Sequence, residues 1–140
     1  MSAPPKAGAT IINDITGCTD PKMIELVKTS GCKIVIMHMR GMPETVSTLT
    51  DYPEGVLSAT RTFLSNQAKM LVDVGVSKEN IILDPGIGFA KTADQSFELI
   101  RHIQEFTNRG YPVVRVHDVA SAVQTRTITE TILGVREVNL

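Results

Sequence analysis

Asp84, Asn13, His38 and the pair Arg115 and His117 are the residues whose type and placement suit them for chemistry, because each follows an apolar run. Asp84 closes Ile81-Ile82-Leu83 and opens onto Pro85-Gly86-Ile87-Gly88-Phe89. A carboxylate where a buried strand breaks into a glycine loop sits at the carboxyl end of a sheet, the side on which α/β folds hold ligands. A turn-forming or helix-capping aspartate is the alternative. Asn13 offers an acceptor and donors for reading a ring edge, against the alternative of an Asx turn. Arg115 and His117 alternate along a strand, so they share a side and form a two-donor anion site; a strand-end ion pair with Asp118 is the alternative. His38 has no second ligand nearby, which favours a structural hydrogen bond over a metal. His102 falls in a predicted helix and faces solvent. Cys18 and Cys32 are too far apart for a CxxC motif and read as buried or idle thiols.

Positioning these groups takes a regular alternation of elements. After a Pro-rich lead, Ala9 to Ile15 predicts a strand and Thr16-Gly17-Cys18-Thr19 a loop. Asp20 caps a helix with Pro21 at its first position, an apolar face of Met23, Ile24, Leu26 and Val27, and Gly31 as its stop. Lys33 to Met37 is the next strand, followed by a loop from His38 through Tyr52. A long amphipathic helix runs from Pro53 to Val74, with Val56, Leu57, Phe63, Leu64, Ala68, Met70, Leu71 and Val74 at helical spacing and Gly75 beyond its end. Ser77 to Asn80 turns the chain into the Ile81 strand. Asp94 through Asn108 predicts a helix with Phe97, Leu99, Ile100, Ile103 and Phe106 available for burial. Tyr111 to Asp118 is a fourth strand, and a last helix spans about Val119 to Leu133. Strands alternating with helices require crossovers and hence a parallel sheet. All the polar clusters then share one side of it.

The totals fit one α/β domain over residues 1–140. Apolar residues make up 42% and charged residues 21%, which is ordinary for a globular chain. A net charge of −1, with no basic block, gives nucleic acid or an acidic membrane nothing to attract. No apolar run approaches the roughly 20 residues of a membrane span, and Met1 to Lys6 lacks the apolar stretch of a signal peptide, so the expectation is a cytoplasmic protein.

Four segments in order resemble dihydropteroate synthase, the folate-pathway enzyme that joins a pterin to p-aminobenzoate. They are Gly8 to Gly17, Met37-His38-Met39-Arg40-Gly41 with Pro43, Asp84 to Phe89 with Lys91-Thr92, and Arg115 to Val119. The resemblance implies a (β/α)8 barrel of roughly 250 residues. The expected fold is therefore a partial TIM-type barrel of about four of the family's eight parallel β-α units. Two departures stand out. The family's first two strands have no counterpart before Gly8. Pro112-Val113-Val114 resembles the start of its seventh strand but runs straight into Arg115-Val116-His117-Asp118, which resembles the end of its eighth, without the intervening Ser-Arg-Lys loop.

By the resemblance, Asp84 accepts the paired donors of a pterin, its 2-amino group and adjacent ring N–H, in fork geometry. Asn13 reads other ring edges, Met37 packs on the pterin face, although plain core is the ordinary role of such a residue, and Phe89 lies at the p-aminobenzoate end. Arg115 and His117 take the departing pyrophosphate. Mg2+ is the implied cofactor, with no metal ligand assigned in this chain. The implied substrates are the pterin pyrophosphate and p-aminobenzoate. Because the segments without counterpart carry a basic Lys, a substrate-contacting Ser, a metal-side Asn and closing loops, weak independent activity is expected. A non-catalytic pterin binder and a methyltransferase pterin domain are the alternatives; the Met-His-Met-Arg-Gly and Arg-Val-His-Asp-Val segments argue against the latter. Open sheet edges and the family's dimers lead to an expected homo-oligomer.

Overall fold

The computed structural model describes residues 8–40, 50–107 and 110–113. Its centre is a parallel sheet of β1 (Ile11–Asp14), β2 (Lys33–Met37) and β3 (Ile81–Asp84), in the order β1-β2-β3. Between them run α1 (Pro21–Ser30) and α2 (Val56–Asp73), with a single 3₁₀ turn (Lys78–Asn80) leading into β3; α3 (Ala93–Arg101) and α4 (Gln104–Thr107) follow. The expected parallel α/β architecture is thus present. Where the fourth strand is expected, Leu83 N–H donates to Pro112 O at 3.0 Å, and Val113 makes an isolated parallel bridge to Leu83. The rest of that strand and the final helix lie outside the described residues.

Side chains alternate across the sheet and give it two unlike faces. Ile34, Ile36, Ile81 and Leu83 point one way, into a core with Val27 of α1 and Val56, Leu64, Ala68 and Leu71 of α2. The other face carries Ile11, Asn13, Val35, Met37, Ile82 and Asp84. Its lower part is open, with Ile11 51% exposed and Asn13 exposed, while Met37 and Asp84 at the carboxyl end are buried.

Local signals set several boundaries as expected. The Asp20 carboxylate accepts from Lys22 N–H at 2.9 Å, Pro21 occupies the first turn, and Gly31 stops α1 in a left-handed conformation. β2 has the predicted limits. The strand expected from Ala9 is shorter, starting at Ile11.

Four expectations are corrected. The helix predicted from Pro53 starts at Val56, because Gly55 adopts φ +85° and cannot be helical; Gly55 N–H closes a turn on Tyr52 O instead. At its far end Val74, expected on the buried face, is exposed. The helix predicted for 94–108 divides at His102, where Ile103 N–H donates to Ile100 O in a tighter turn. After that turn Phe106 enters the core and Glu105 meets Arg61 of α2 at 2.8 Å. Of the apolar residues offered by that stretch, Leu99 and Phe106 are buried, but Phe97 and Ile100 are 64% and 51% exposed. No helix among the described residues is long and apolar enough to cross a membrane.

Candidate functional site

Asp84 is the last residue of β3 and lies directly across from Met37 in the parallel register. It is 2% exposed, and its Oδ1 accepts from Gly86 N–H at 2.8 Å. The turn-forming alternative is therefore true of Oδ1. It does not displace a binding role, since a carboxylate oxygen has two lone pairs and can accept again. The backbone at Asp84 is pinned as well, its carbonyl accepting from His38 N–H at 2.9 Å.

Asn13 lies on the same face, two strands away at about 10 Å laterally. The Asx turn considered for it belongs to Asp14. That neighbour is 6% exposed, and its Oδ1 accepts from Thr16 N–H at 2.9 Å and the Thr16 hydroxyl at 2.7 Å, while Oδ2 accepts from Cys18 N–H at 2.8 Å. Asn13 is thereby left pointing to the open face, exposed. Met37 has no exposed surface, so the core role holds for it in the ligand-free chain, although its position opposite Asp84 is the expected one. Phe89 is half-buried in the loop after Asp84, and its N–H donates to Gly86 O at 3.0 Å. Arg115 and His117 lie outside the described residues.

His38 turns away from the site. It is 5% exposed, its Nδ1 meets Thr60 Oγ1 at 3.4 Å, and its ring stands edge-on to Phe63 with centroids 5.2 Å apart. Burial, then the charges of Lys91 and Arg40, hold its pKa down to about 3, so the ring is neutral and structural, as expected. His102 ends α3 half-exposed, with Nδ1 3.3 Å from Glu105 Oε1, so it faces a carboxylate as well as solvent. Cys18 and Cys32 are buried free thiols; burial, reinforced by Asp14 and Asp20, pushes the Cys18 pKa up to about 11, which keeps it unreactive.

The structure adds two residues that pattern reading passed over. Tyr52 donates its hydroxyl to Ala90 O at 2.7 Å, and the Arg40 guanidinium lies 5.2 Å from its ring centre. Lys91, 8% exposed, reaches three carbonyl oxygens beneath the Asp84 loop. Burial draws its pKa down to about 7, with the Asp84 carboxylate pulling the other way. A lysine next to a glycine loop was visible in the sequence; the carbonyls it gathers were not.

The implied Mg2+ requires converging oxygen ligands. Among the described residues no group of three or more His, Cys, Asp or Glu side chains gathers to hold a metal ion. The Lys91 amine interacts electrostatically with Asp84, and in its protonated form it opposes a divalent cation at the same place. The described residues do not fit the ion, and no step is assigned to it.

A buried carboxylate at the end of a parallel strand, on one face with an exposed asparagine, is placed where α/β proteins commonly hold small molecules, at the carboxyl side of the sheet. Residues 1–130 match the family described as pterin binding enzyme, and the chain belongs to that family. It is 42% identical over 110 residues to a dihydropteroate synthase of Synechocystis, covering 78% of this chain and 38% of that relative. The dihydropteroate synthase of Thermus thermophilus in complex with 4-aminobenzoate superposes with a TM-score of 0.71 at 34% identity, over 76% of this chain and 40% of that one. The same enzyme in complex with 6HMPPP gives a TM-score of 0.70. The chain thus spans well under half the length of the relatives it matches, and the fold corresponds to part of their barrel.

Proposed function

We propose that this chain recognises a pterin through Asp84, and that the reaction of its site is the condensation of 6-hydroxymethyl-dihydropterin pyrophosphate with p-aminobenzoate to give dihydropteroate. The observation that carries the reading is the buried Asp84 carboxylate at the end of β3, across from Met37 and on the face that exposes Asn13. In fork geometry the carboxylate takes the 2-amino and ring N–H donors, and Asn13 reads the remaining edge. Met37 backs the ring and Phe89 borders the p-aminobenzoate end. The methylene carbon loses pyrophosphate, whose charge Arg115 and His117 take up, as the aniline nitrogen forms the new C–N bond and gives up its proton to water. The protein's contribution is orientation and stabilisation of the departing charge.

Binding with little turnover is the form this takes in the chain alone, because the chain spans 38% of the relative it matches. One domain over 1–140, a cytoplasmic location and a self-associated chain belong to the same proposal. The last draws on β1, which pairs on one side only among the described residues.

Calorimetry of the purified chain with 6-hydroxymethylpterin, beside an assay for dihydropteroate, tests the proposal. Binding with slow or no product supports it. Absence of binding by intact, folded protein refutes it, and turnover at the rate of a full barrel refutes the expectation of weak activity. A sedimentation result of folded, monodisperse monomer refutes self-association.

A further inference from the structure

Lys91 is a buried lysine whose acceptors among the described residues are backbone carbonyls. Its Nζ donates to His38 O at 3.3 Å, Gly86 O at 3.1 Å and Phe89 O at 3.0 Å. Those acceptors come from two places, the residue that follows β2 and the loop that follows β3. An ammonium has three N–H donors and no acceptor, which matches three converging carbonyls; a neutral amine has two, and would turn its lone pair toward the third oxygen. The packing around this cradle leaves no space. A Cβ added to Gly86, at φ +70°, would lie 2.1 Å from His38 O and 3.3 Å from Lys91 Nζ. Gly86 is also the residue whose N–H holds Asp84 Oδ1 at 2.8 Å. The peptide units on either side of Gly86 thus connect the lysine to the carboxylate.

We propose that Lys91 is a positioning residue for Asp84, its ammonium gathering the His38, Gly86 and Phe89 carbonyls and so fixing the loop that aims the carboxylate at its ligand. The proposal rests on the pterin reading of Asp84. It extends that reading to specificity: a carboxylate held in one orientation discriminates a ligand with paired donors from one without them, and a carboxylate on a loosened loop does not.

The experiment compares 6-hydroxymethylpterin with the matching lumazine, in which an oxygen replaces the 2-amino group. Calorimetric Kd values are measured for the full chain and for Lys91→Met, Lys91→Arg and Asp84→Asn, each checked for folding by circular dichroism. The wild-type chain is expected to prefer the pterin, and Asp84→Asn to abolish that preference. Lys91→Met is expected to reduce the preference by about tenfold, the size of one charge-assisted hydrogen bond. Lys91→Arg keeps the charge in a planar fork that cannot converge on three carbonyls, so it loses part of the preference even where Lys91→Met fails to fold. A role in stability alone would lower the melting temperature and leave the ratio of the two Kd values unchanged. Folded Lys91 variants that keep the full preference while Asp84→Asn loses it overturn this proposal and leave the pterin reading standing. A wild-type chain without any preference overturns both.

Discussion

The loops that follow β1 and β3 each begin with a buried aspartate, and they use it differently. Asp14 spends both carboxylate oxygens on its own loop, accepting from Thr16 N–H, the Thr16 hydroxyl and Cys18 N–H. Gln67 of α2 completes that loop from outside, its Nε2 donating to Gly17 O at 2.7 Å. In the Asp84 loop Gly86 N–H holds Oδ1, and the carbonyls are drawn together by Lys91. A carboxylate that organises its own loop is committed to structure. Where a cation takes over that task, the carboxylate can remain a recognition group.

The largest difference is expected at the glycines. Gly86→Ala forces a side-chain carbon against the backbone oxygen of His38 at 2.1 Å with φ +70°, whereas Gly17→Ala at φ +73° meets chiefly the Phe63 ring, which can move. Gly86→Ala should destabilise by about 3 kcal/mol or more in urea unfolding, and Gly17→Ala by about 1 to 2 kcal/mol. Equal losses would break the contrast. Next comes Asp14→Ala, which strands the Thr16 and Cys18 donors and should cost about 2 to 3 kcal/mol of stability by the same measurement.

Asp84→Asn should fall on the other side of the comparison. The amide oxygen can still accept from Gly86 N–H, so the stability change should stay near 1 kcal/mol or below, while pterin binding weakens by tenfold or more in calorimetry. A large loss of stability with unchanged binding would show that the two aspartates do the same work.

The smallest effect at neutral pH belongs to His38. Its folded pKa of about 3 lies below the ordinary 6.5, so the unfolded chain binds the extra proton first as pH falls. The stability contributed by the neutral ring is complete above pH 6.5 and is lost as pH drops toward about 3. Unfolding measured in steps across that range should show a steeper acid loss for the wild type than for His38→Gln. Parallel curves would mean that the imidazole is not titrating in its pocket.

Much of this was legible from residue types. Asp20, Pro21 and Gly31 bound α1 as expected because each acts through its own backbone preference or its own short side chain. Asp84 was recognisable as a strand-end carboxylate, and Gly75 as a stop, with φ +103° and its N–H donated to Val72 O. The start of α2 is legible too, since Gly55 is a helix breaker two residues beyond Pro53. Phe97 and Ile100 depart from the expected burial for a different reason. Periodicity reports that a helix has an apolar face, and says nothing of whether a neighbour covers it.

By itself the sequence determined the parallel β/α order, the strand that carries Asp84, the caps of α1 and the family to which the chain belongs. These follow from local conformational preference and from motifs that lie contiguous in the chain. Only the tertiary structure decided that Asp14, rather than Asn13, makes the turn after β1, that His38 points into the core against Thr60, and that Lys91 closes over three carbonyls. The contact from Lys91 to His38 spans 53 residues of sequence and that from His38 to Thr60 spans 22. Such contacts exist only after β2 and β3 have paired and α2 has packed, because burial is what gives those donors their acceptors.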